Sequence, residues 1–258
     1  MILLGRQERL KAILSTMRQS SQISIGDICK SHGVSIITAR RDLDILESQG
    51  LIERTRGGAT IKSIAGDSPF FKNLDIQKQE KERIAKKAVE FVADGQVIAA
   101  GGGTTVYYVM KALESAPIRA LTIVTNSITT AWAIINLTKP FNLIHSGGTV
   151  RQGSFECIGE YASTLFERMY FDSYILGASG VSCTGGVTVA DFEERNLAEI
   201  IIQKSKNVIL VADSTKIDHI APYKICDLDK IKILVTDRQA DQKQVENIKS
   251  FGTDVILV

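Results

Sequence analysis

Seven short apolar runs recur between residues 97 and 258, and they constrain the fold more than any other feature of the chain. They cover Val97–Ala100, Leu121–Val124, Phe141–Ile144, Ser173–Leu176, Val208–Val211, Ile231–Val235 and Val255–Val258. Helix-type patterns lie between them, beginning with Glu80–Ala93. Uninterrupted apolar strands that alternate with helices are typical of a parallel sheet covered on both faces. We therefore predict an α/β domain over residues 80–258, with a doubly wound, mostly parallel sheet.

The first sixty residues follow a different pattern, which predicts a second and smaller domain. Apolar residues over Leu10–Met17 recur at helical spacing, and Ser24 stands where a capping box would begin a second helix. Gly33 ends that helix, Ser35 can cap a third one, and Leu51–Ile61 has the pattern of two short strands. Three helices followed by a hairpin predict a winged helix-turn-helix domain over residues 1–61.

The third predicted helix has one apolar side and one side suited to DNA. At about 100° per residue, the side that packs on the first two helices carries Ile36, Ala39, Leu43 and Leu46. Three residues are expected to contact base edges in the major groove, namely Ile37, Thr38 and Arg41. Four others are expected to contact phosphates, namely Ser35, Arg40, Arg54 and Arg56.

An ordinary solvated surface is the alternative interpretation of this helix, in which its two adjacent arginines merely pair with Asp42 and Asp44. Residues 1–60 contain nine lysines and arginines against six acidic residues, an excess of three positive charges. Such an excess also arises on a solvated helix face, so the charge by itself does not decide between the two. The preceding helix, the glycine turn and the hairpin favour DNA binding.

A longer stretch of this domain resembles the DNA-binding signature of the DeoR family of bacterial transcription regulators. The matching residues are 34–43 (VSIITARRDL), Leu46, Gly50, Arg54 and Gly57-Gly58-Ala59. The resemblance implies sequence-specific binding to double-stranded operator DNA.

Four turns rich in glycine, hydroxyl and small residues follow strand-like runs of the larger domain. They are Gly101-Gly102-Gly103-Thr104-Thr105, Thr125-Asn126-Ser127, Ser146-Gly147-Gly148-Thr149 and Ala212-Asp213-Ser214-Thr215-Lys216. In parallel sheets ligands bind beyond the carboxyl ends of the strands, and N–H groups at a helix N-terminus bind anions. Hydroxyl donors, the Lys216 charge and the Asp213 carboxylate complete a predicted site for a small phosphorylated ligand.

Each turn taken alone is more typical of a helix cap than of a phosphate site, so this prediction rests on their recurrence. The glycine turn is neither GxGxxG nor GxxxxGK[ST], which excludes a dinucleotide fingerprint and a P-loop. The histidines and cysteines are scattered and do not form a set with the spacing of a metal site, and no CxxC pair occurs in the sequence. We therefore expect no metal and no cofactor.

The same turns resemble the effector-binding domain of the DeoR family, whose fold is related to ribose-phosphate isomerase, glucosamine-phosphate deaminase and CoA transferases. The matching residues are Gly103-Thr104-Thr105, Thr125-Asn126-Ser127, Gly147-Gly148-Thr149, Phe171-Asp172, Gly185, Thr188, Glu194, Asp213 and Lys216. The resemblance implies a sensor of a phosphorylated sugar or a related metabolite, with Glu194 among the ligand contacts. Gly101 and Ser179 stand where the family commonly has aspartate, and losing both carboxylates alters the recognition of sugar hydroxyls.

Residues 62–79 separate the two predicted domains and have the composition of a linker. They mix glycine, proline and polar residues around Phe70-Phe71. Those two phenylalanines either seal a contact between domains or subunits, or tuck into the nearest core. The predicted organisation is a winged helix-turn-helix domain at 1–61, a linker at 62–79 and an effector-sensing domain at 80–258.

Together with these patterns, the resemblance to the DeoR family implies a repressor of a carbohydrate-utilisation operon whose DNA binding is controlled by a phosphorylated sugar-like effector. A homo-oligomer, either a dimer or a tetramer, is expected because paired readers match paired half-sites on DNA. The sequence has neither a run of 18 apolar residues nor a signal peptide, and this predicts a cytoplasmic protein with no membrane contact.

Two other functions fit parts of the pattern. One is a sugar-phosphate isomerase or deaminase with a DNA-binding appendage, for which Asp213 and Glu194 are the candidate bases. Gly101 and Ser179 remove two further carboxylates, which favours a sensor that is not an enzyme. The other function is a winged-helix module for protein contacts, which would show no salt-sensitive DNA binding.

Overall fold

A computed structural model of the chain describes residues 5–20, 22–48, 52–61 and 69–258. The chain divides into an N-terminal unit over Met1–Ser68 and a C-terminal unit over Pro69–Val258. Within the described ranges, none of the helices is long and apolar enough to cross a membrane.

The N-terminal unit contains the three helices and the hairpin that the sequence predicts. Its helices are α1 (Arg6–Ser20), α2 (Ile25–His32) and α3 (Ile36–Ser48), and its strands are β1 (Gln22–Ser24), β2 (Ile52–Thr55) and β3 (Gly58–Ile61). The strands form an antiparallel sheet in the order β1-β3-β2, so β1 adds to the hairpin an edge strand that was not predicted. The sequence also predicts that the third helix runs to about Gln49 and is stopped by Gly50, and these two residues lie outside the described ranges.

Side-chain and glycine caps fix the turn between α2 and α3. The Ser24 hydroxyl accepts a hydrogen bond from the Asp27 N–H at 3.0 Å, which confirms the predicted capping box. Gly33 ends α2 with a φ of 64°, a conformation that favours glycine. The Ser35 hydroxyl then accepts a hydrogen bond from the Thr38 N–H at 3.2 Å and begins α3.

The packed side of α3 matches its predicted apolar stripe at all but one position. Ala39, Leu43 and Leu46 are buried in the core that the three helices share. Ile36 was expected beside them, and this prediction is wrong because its side chain is 56% exposed. Ile36 is the first residue of α3, one turn before the buried stripe begins, and the partly buried Val34 packs on the core instead.

The C-terminal unit alternates helices and strands in the predicted manner. Its helices are α4 (Pro69–Leu74), α5 (Lys78–Ala88), α6 (Thr104–Ala112), α7 (Ile128–Ile135), α8 (Glu160–Glu167), α9 (Phe192–Gln203) and α10 (Gln242–Lys249). Its strands are β4 (Val97–Ala100), β5 (Thr122–Thr125), β6 (Asn142–His145), β7 (Thr149–Val150), β8 (Cys157–Ile158), β9 (Phe171–Gly177), β10 (Gly180–Ser182), β11 (Gly186–Val189), β12 (Ser205–Val211), β13 (Tyr223–Cys226), β14 (Ile233–Thr236) and β15 (Asp254–Leu257).

The seven predicted apolar runs form one parallel sheet, which confirms the predicted fold class. Its strand order is β15-β14-β12-β9-β4-β5-β6. Separate hydrophobic cores cover its two faces, in agreement with strands that are apolar on both sides. The chain moves outward from β4 to β6 and then returns to β9 on the other side of β4. This reversal of strand order places a ligand-binding crevice at the carboxyl ends of β4 and β9.

Two small antiparallel elements beside the main sheet were not predicted. One is a three-stranded sheet in the order β10-β11-β13, and the other is the pair β7-β8. Their strands are only two to four residues long and several contain or follow glycine, so their pattern resembles that of loops. The segments next to these strands supply residues that line the crevice, such as Arg151 and Glu156 between β7 and β8.

The predicted linker differs from the structure over its second half. Residues 69–79 form α4 and the beginning of α5 and belong to the C-terminal unit, whereas residues 62–68 lie outside the described residues. Phe70 is 5% exposed, and its ring stacks edge-on against Phe71, Tyr107 and Phe155. An aromatic cluster within this unit therefore accounts for the phenylalanine pair.

Candidate functional site

The exposed side of α3 carries an isoleucine and two arginines at its N-terminal half. Ile37 is 66% exposed, and Arg40 and Arg41 are also exposed. Thr38 is half-buried, and its hydroxyl lies 3.0 Å from that of Ser35. A large exposed isoleucine is costly in water, and it suits contact with thymine methyl groups in the major groove.

Two of the three acidic residues of α3 are bound by arginine side chains from other elements. Asp42 is 1% exposed and accepts hydrogen bonds from Arg9 Nε at 2.6 Å and Arg9 Nη2 at 3.1 Å. Asp44 accepts a hydrogen bond from Arg54 of β2. Because both carboxylates are engaged in this way, the charges of Arg40 and Arg41 are not neutralised by them.

Arg54 and Arg56, which were predicted to contact phosphates, have different surroundings. Arg54 is half-buried and joins β2 to α3 through Asp44 and through the carbonyl oxygen of Arg40, which lies 3.4 Å from its Nη1. Arg56 is exposed at the tip of the hairpin, beside Gly57. Arg54 thus holds the β2–β3 hairpin against α3, whereas the exposed side chain of Arg56 is accessible to a binding partner.

A cavity of about 280 Å³ lies at the carboxyl ends of β4, β9 and β12 in the C-terminal unit. Seven predicted residues line it, namely Gly102, Gly103, Thr104, Thr105, Glu194, Asp213 and Lys216. Residues without a predicted ligand role also line it, among them Asn73, Lys81, Arg151, Ser154, Glu156 and Ser179. The crevice expected from the strand order is therefore present and has room for a small molecule.

The glycine turn after β4 presents the N-terminus of α6 to this cavity. Gly103 precedes α6 with a φ of 91°, and no side chain caps the helix there. The first N–H groups of an α-helix have no partner within the helix, and the helix dipole adds positive potential to them. Thr104 and Thr105 place hydroxyl groups beside these donors. This end of the cavity can bind an anion.

Two lysines add positive charge to the cavity. Lys81 projects from α5, is 3% exposed, and donates a hydrogen bond from Nζ to the Asn73 carbonyl oxygen at 2.7 Å. Burial lowers the pKa of its ammonium group. Lys216 follows β12 and is half-buried. Because a buried charge is costly unless it is paired, an anionic ligand would stabilise the charged form of Lys81.

The Asp213 side chain, predicted to contact the ligand, is buried and fixed by hydrogen bonds within the protein. It is 2% exposed, and its Oδ1 accepts hydrogen bonds from the Thr215 hydroxyl and from the Thr215 N–H. This caps the short helical turn Ser214–Lys216 and positions Lys216. The Asp213 carboxylate therefore has a structural role as the cap of this turn. Its remaining oxygen lone pairs could accept hydrogen bonds from sugar hydroxyls.

Glu156 and Glu194 bring two carboxylates to the cavity. Glu156 is 4% exposed, its backbone N–H donates a hydrogen bond to the Ser154 hydroxyl at 3.4 Å, and burial raises the pKa of its carboxyl group. Burial and the charge of Glu156 raise the pKa of Glu194 well above its ordinary value. Arg151 lies 3.7 Å from Glu194, measured from Nη1 to Oε2.

Three predicted site residues have structural roles instead. Thr125 and Ser127 are fully buried, and the Ser127 hydroxyl caps α7 by accepting a hydrogen bond from the Thr130 N–H at 3.2 Å. The Asn126 side chain donates to the Cys157 carbonyl oxygen at 3.0 Å and so fixes β8. Thr125 and Ser127 do not line the cavity, whereas Asn126 lines a small adjoining pocket together with Gly102, Glu156 and Glu194.

Gly147 and Gly148 are also outside the cavity. Both are exposed and form the turn between β6 and β7, where the Gly147 N–H donates to His145 Nδ1 at 3.0 Å. β6 is the edge strand of the sheet, two strands away from the reversal between β4 and β9. The turn that follows it does not line the cavity.

Lys81, Arg151 and Glu156 are the charged cavity residues that sequence reasoning missed. Lys81 shares the buried face of α5 with Ile84, Ala85 and Ala88, so a lysine on an apolar helical stripe was the available signal. Arg151 and Glu156 come from the irregular stretch between β7 and β8, where no periodic pattern marks them. Within the described part of the chain, no cluster of side chains could hold a metal ion.

The two units match two known sequence families. Residues 76–238 match the DeoR C-terminal sensor domain, and residues 9–65 match the DeoR-like helix-turn-helix domain. The HTH-type transcriptional regulator GlpR of Haloferax volcanii is 32% identical over 252 residues, which cover 96% of each chain. The glycerol-3-phosphate regulon repressor of Escherichia coli is 31% identical over 230 residues, 89% of this chain and 90% of that one. Ribose 5-phosphate isomerase A of Neisseria gonorrhoeae aligns over 55% of each chain, with 21% identity and a TM-score of 0.41.

Proposed function

This chain belongs to the DeoR family of transcriptional regulators, and from that membership we propose that its C-terminal cavity binds a phosphorylated sugar-like effector that controls operator binding. The protein is a DNA-binding transcriptional regulator and not an enzyme, as its full-length relatives and both domain matches indicate. The observation that carries the proposal is the cavity that joins the uncapped N-terminus of α6 to two lysines.

The phosphate of the effector binds at the α6 end of the cavity in this proposal. Backbone N–H groups from Gly103 onward donate to its oxygens, and Thr104 and Thr105 add hydroxyl donors. Lys81 and Lys216 balance its charge. Charge-assisted hydrogen bonds of this kind are about twice as strong as neutral ones.

A thermal-shift screen of phosphorylated sugars tests this assignment. A ligand present at 100 times its dissociation constant stabilises the folded protein by about 2.7 kcal/mol. We expect stabilisation by one or more sugar phosphates and none by the corresponding unphosphorylated sugars. Equal stabilisation by a sugar and its phosphate would contradict the proposed phosphate site.

Replacing Lys216 with alanine should weaken effector binding by roughly 10- to 150-fold, because a charged hydrogen bond contributes about 1.5–3 kcal/mol. Binding to operator DNA without effector should be unchanged. Titration calorimetry with a hit from the screen measures the first effect, and a gel-shift assay measures the second. Lys243→Ala, which removes an exposed lysine from α10, is the matched control. Loss of operator binding in Lys216→Ala alone would contradict the proposed division of roles.

We propose that α3 reads the operator through Ile37, Thr38 and Arg41, while Ser35, Arg40 and Arg56 contact phosphates. Exposure of Ile37 and Arg41 and the engagement of the neighbouring carboxylates elsewhere support this division. Arg54 contributes by holding the hairpin against α3.

Replacing Arg41 with alanine should weaken binding to the selected operator by about 1–3 kcal/mol and relax the sequence preference at one position. The operator is obtained by selection from random duplexes with the unmodified protein. Arg40→Ala is the matched control, because losing a phosphate contact weakens all sequences alike and lowers the salt dependence by about one unit of slope. An Arg41→Ala variant with unchanged affinity and preference would refute the assignment of Arg41.

We also propose that the regulator binds DNA as a homo-oligomer. One winged helix-turn-helix domain covers little DNA, and two-fold symmetric subunits match paired half-sites one helical turn apart. Light scattering coupled to size-exclusion chromatography gives the subunit number, and a monomer at the concentrations used for operator binding would contradict this proposal.

A further inference from the structure

The first helix of the C-terminal unit forms part of the wall of the effector cavity. α4 begins at Pro69, the residue that follows Ser68 at the end of the N-terminal unit. Phe70 and Asn73 of α4 line the cavity, together with Ile76 from the turn that follows this helix. The helix that lines the cavity is therefore also the helix at which the chain from the DNA-binding unit enters the sensor unit.

Two side chains from other helices hold the end of α4. Lys81 of α5 donates a hydrogen bond from Nζ to the Asn73 carbonyl oxygen at 2.7 Å. The hydroxyl of Tyr108, on α6, donates to the Leu74 carbonyl oxygen at 3.2 Å. The last carbonyl groups of an α-helix have no partner within the helix. These two donors therefore satisfy carbonyl groups that α4 cannot satisfy by itself.

Lys81 differs from Tyr108 because it also lines the cavity. Its side chain is 3% exposed, and a buried ammonium group is costly unless it is paired with an opposite charge. The Asn73 carbonyl is a neutral partner, so it leaves this charge unpaired. An ammonium group has three N–H donors. It can therefore keep its hydrogen bond to α4 while it donates to an anion in the cavity.

We propose that Lys81 couples the effector to α4, because its ammonium group binds the phosphate of the effector and the end of this helix at the same time. This inference rests on the proposed function, which assigns a phosphate to the cavity. A lysine that α4 holds in place is already ordered for the ligand, and by linkage a bound ligand favours its contact with α4 by the same factor. Occupancy of the cavity thus stabilises the helix that follows the connection to the DNA-binding unit.

Hydrogen–deuterium exchange of the full-length chain tests this coupling, with inorganic phosphate as the probe. Peptides that contain the glycine turn after β4 report whether phosphate occupies the site, and peptides from α4 report the coupling. At saturating phosphate we expect exchange in α4 to slow by at least about fivefold, the lower end of the usual coupling between two sites. Sodium chloride at the same ionic strength measures the general effect of salt.

Replacing Lys81 with methionine removes the ammonium group and keeps an unbranched, flexible side chain in its place. At saturating phosphate the glycine turn should still be protected, but exchange in α4 should no longer respond. Phe70 remains buried among aromatic rings, so α4 keeps an attachment to the unit in this variant. Lys86→Met, which changes an exposed lysine of α5, is the matched control and should keep the full response.

Lys216→Ala separates a loss of coupling from a loss of affinity. It removes the other lysine of the cavity, so phosphate should bind more weakly, but α4 should still respond once the site is saturated. This variant and the unmodified protein carry the test if Lys81→Met fails to fold or to bind phosphate. Loss of the α4 response in Lys216→Ala at saturation would contradict the role assigned to Lys81.

The two groups of peptides separate this inference from the function on which it rests. Protection of the glycine turn with an unchanged exchange rate in α4 would overturn the coupling and keep the phosphate site. An α4 response that persists in Lys81→Met would overturn the role of Lys81. If phosphate protects neither the glycine turn nor α4 in the unmodified protein, the proposed phosphate site is wrong, and this inference is wrong with it.

Discussion

Replacing Asp42 with alanine should unfold the N-terminal unit of this regulator while its C-terminal unit stays folded. Asp42 is 1% exposed and Arg9 is 8% exposed, and their side chains are joined by two hydrogen bonds. Alanine removes both hydrogen bonds that the Asp42 carboxylate accepts from Arg9, and breaking a buried ion pair costs about 3–5 kcal/mol. A domain of about 60 residues has little stability in reserve. The loss is therefore comparable to the whole free energy of unfolding of this unit.

Differential scanning calorimetry of the full chain resolves this effect if the two units unfold in separate transitions. Asp44→Ala is the matched control, because Asp44 is 62% exposed in its side chain and pairs with Arg54 at the surface. Exposed pairs of this kind contribute about 0–1 kcal/mol. Equal stability of the two variants would show that the Arg9–Asp42 pair does not hold the helices together.

Replacing Gly102 with alanine should abolish effector binding and destabilise the C-terminal unit. The new methyl group would lie 2.2 Å from Glu156 Oε1 and 2.4 Å from Glu156 Cδ, so the buried carboxylate has to move. Overpacking of this kind costs about 1–3 kcal/mol, which lowers the melting temperature by about 2–4 °C for each kcal/mol in a domain of this size. The shifted carboxylate and turn also disturb the donors that the phosphate needs.

A double variant distinguishes this collision from a general intolerance of alanine. Gly102→Ala combined with Glu156→Ala removes the group that the methyl would strike, so the pair should be more stable than the sum of the single changes predicts. Thermal unfolding of the four proteins in this cycle measures the coupling. Additive effects would mean that Glu156 does not occupy the space above Gly102.

Periodic patterns made most of the fold predictable. The seven apolar runs became the seven strands of the parallel sheet, and Ser24, Gly33 and Ser35 capped the helices that they were expected to cap. Both signals are local, because burial on two faces and cap geometry depend on adjacent residues. The strands of two to four residues in β7, β8, β10 and β11 were missed, because their pairing depends on partners supplied by the tertiary structure.

The sequence identified candidate site residues correctly only in turns that follow strands close to the reversal of strand order at β4 and β9. The turns after β4 and β12 line the cavity, whereas the turns after β5 and β6 look alike in sequence but cap a helix or lie at the sheet edge. The order of strands across the sheet decides which turns meet, and no local pattern encodes it. Lys81, Arg151 and Glu156 reach the cavity from elements whose positions depend on that same order.

The position of β4 and β9 side by side at the middle of the sheet has a consequence for biosynthesis. Ile98 pairs with Ser173, so the centre of the sensor cannot assemble until the ribosome has added more than seventy further residues. The described strand pairs of the N-terminal unit join residues within its first sixty-one positions, for example Gln22 with Thr60. Short-range topologies fold faster and nascent domains fold in order of synthesis. The DNA-binding unit is thus complete on the growing chain before synthesis of the sensor unit has finished.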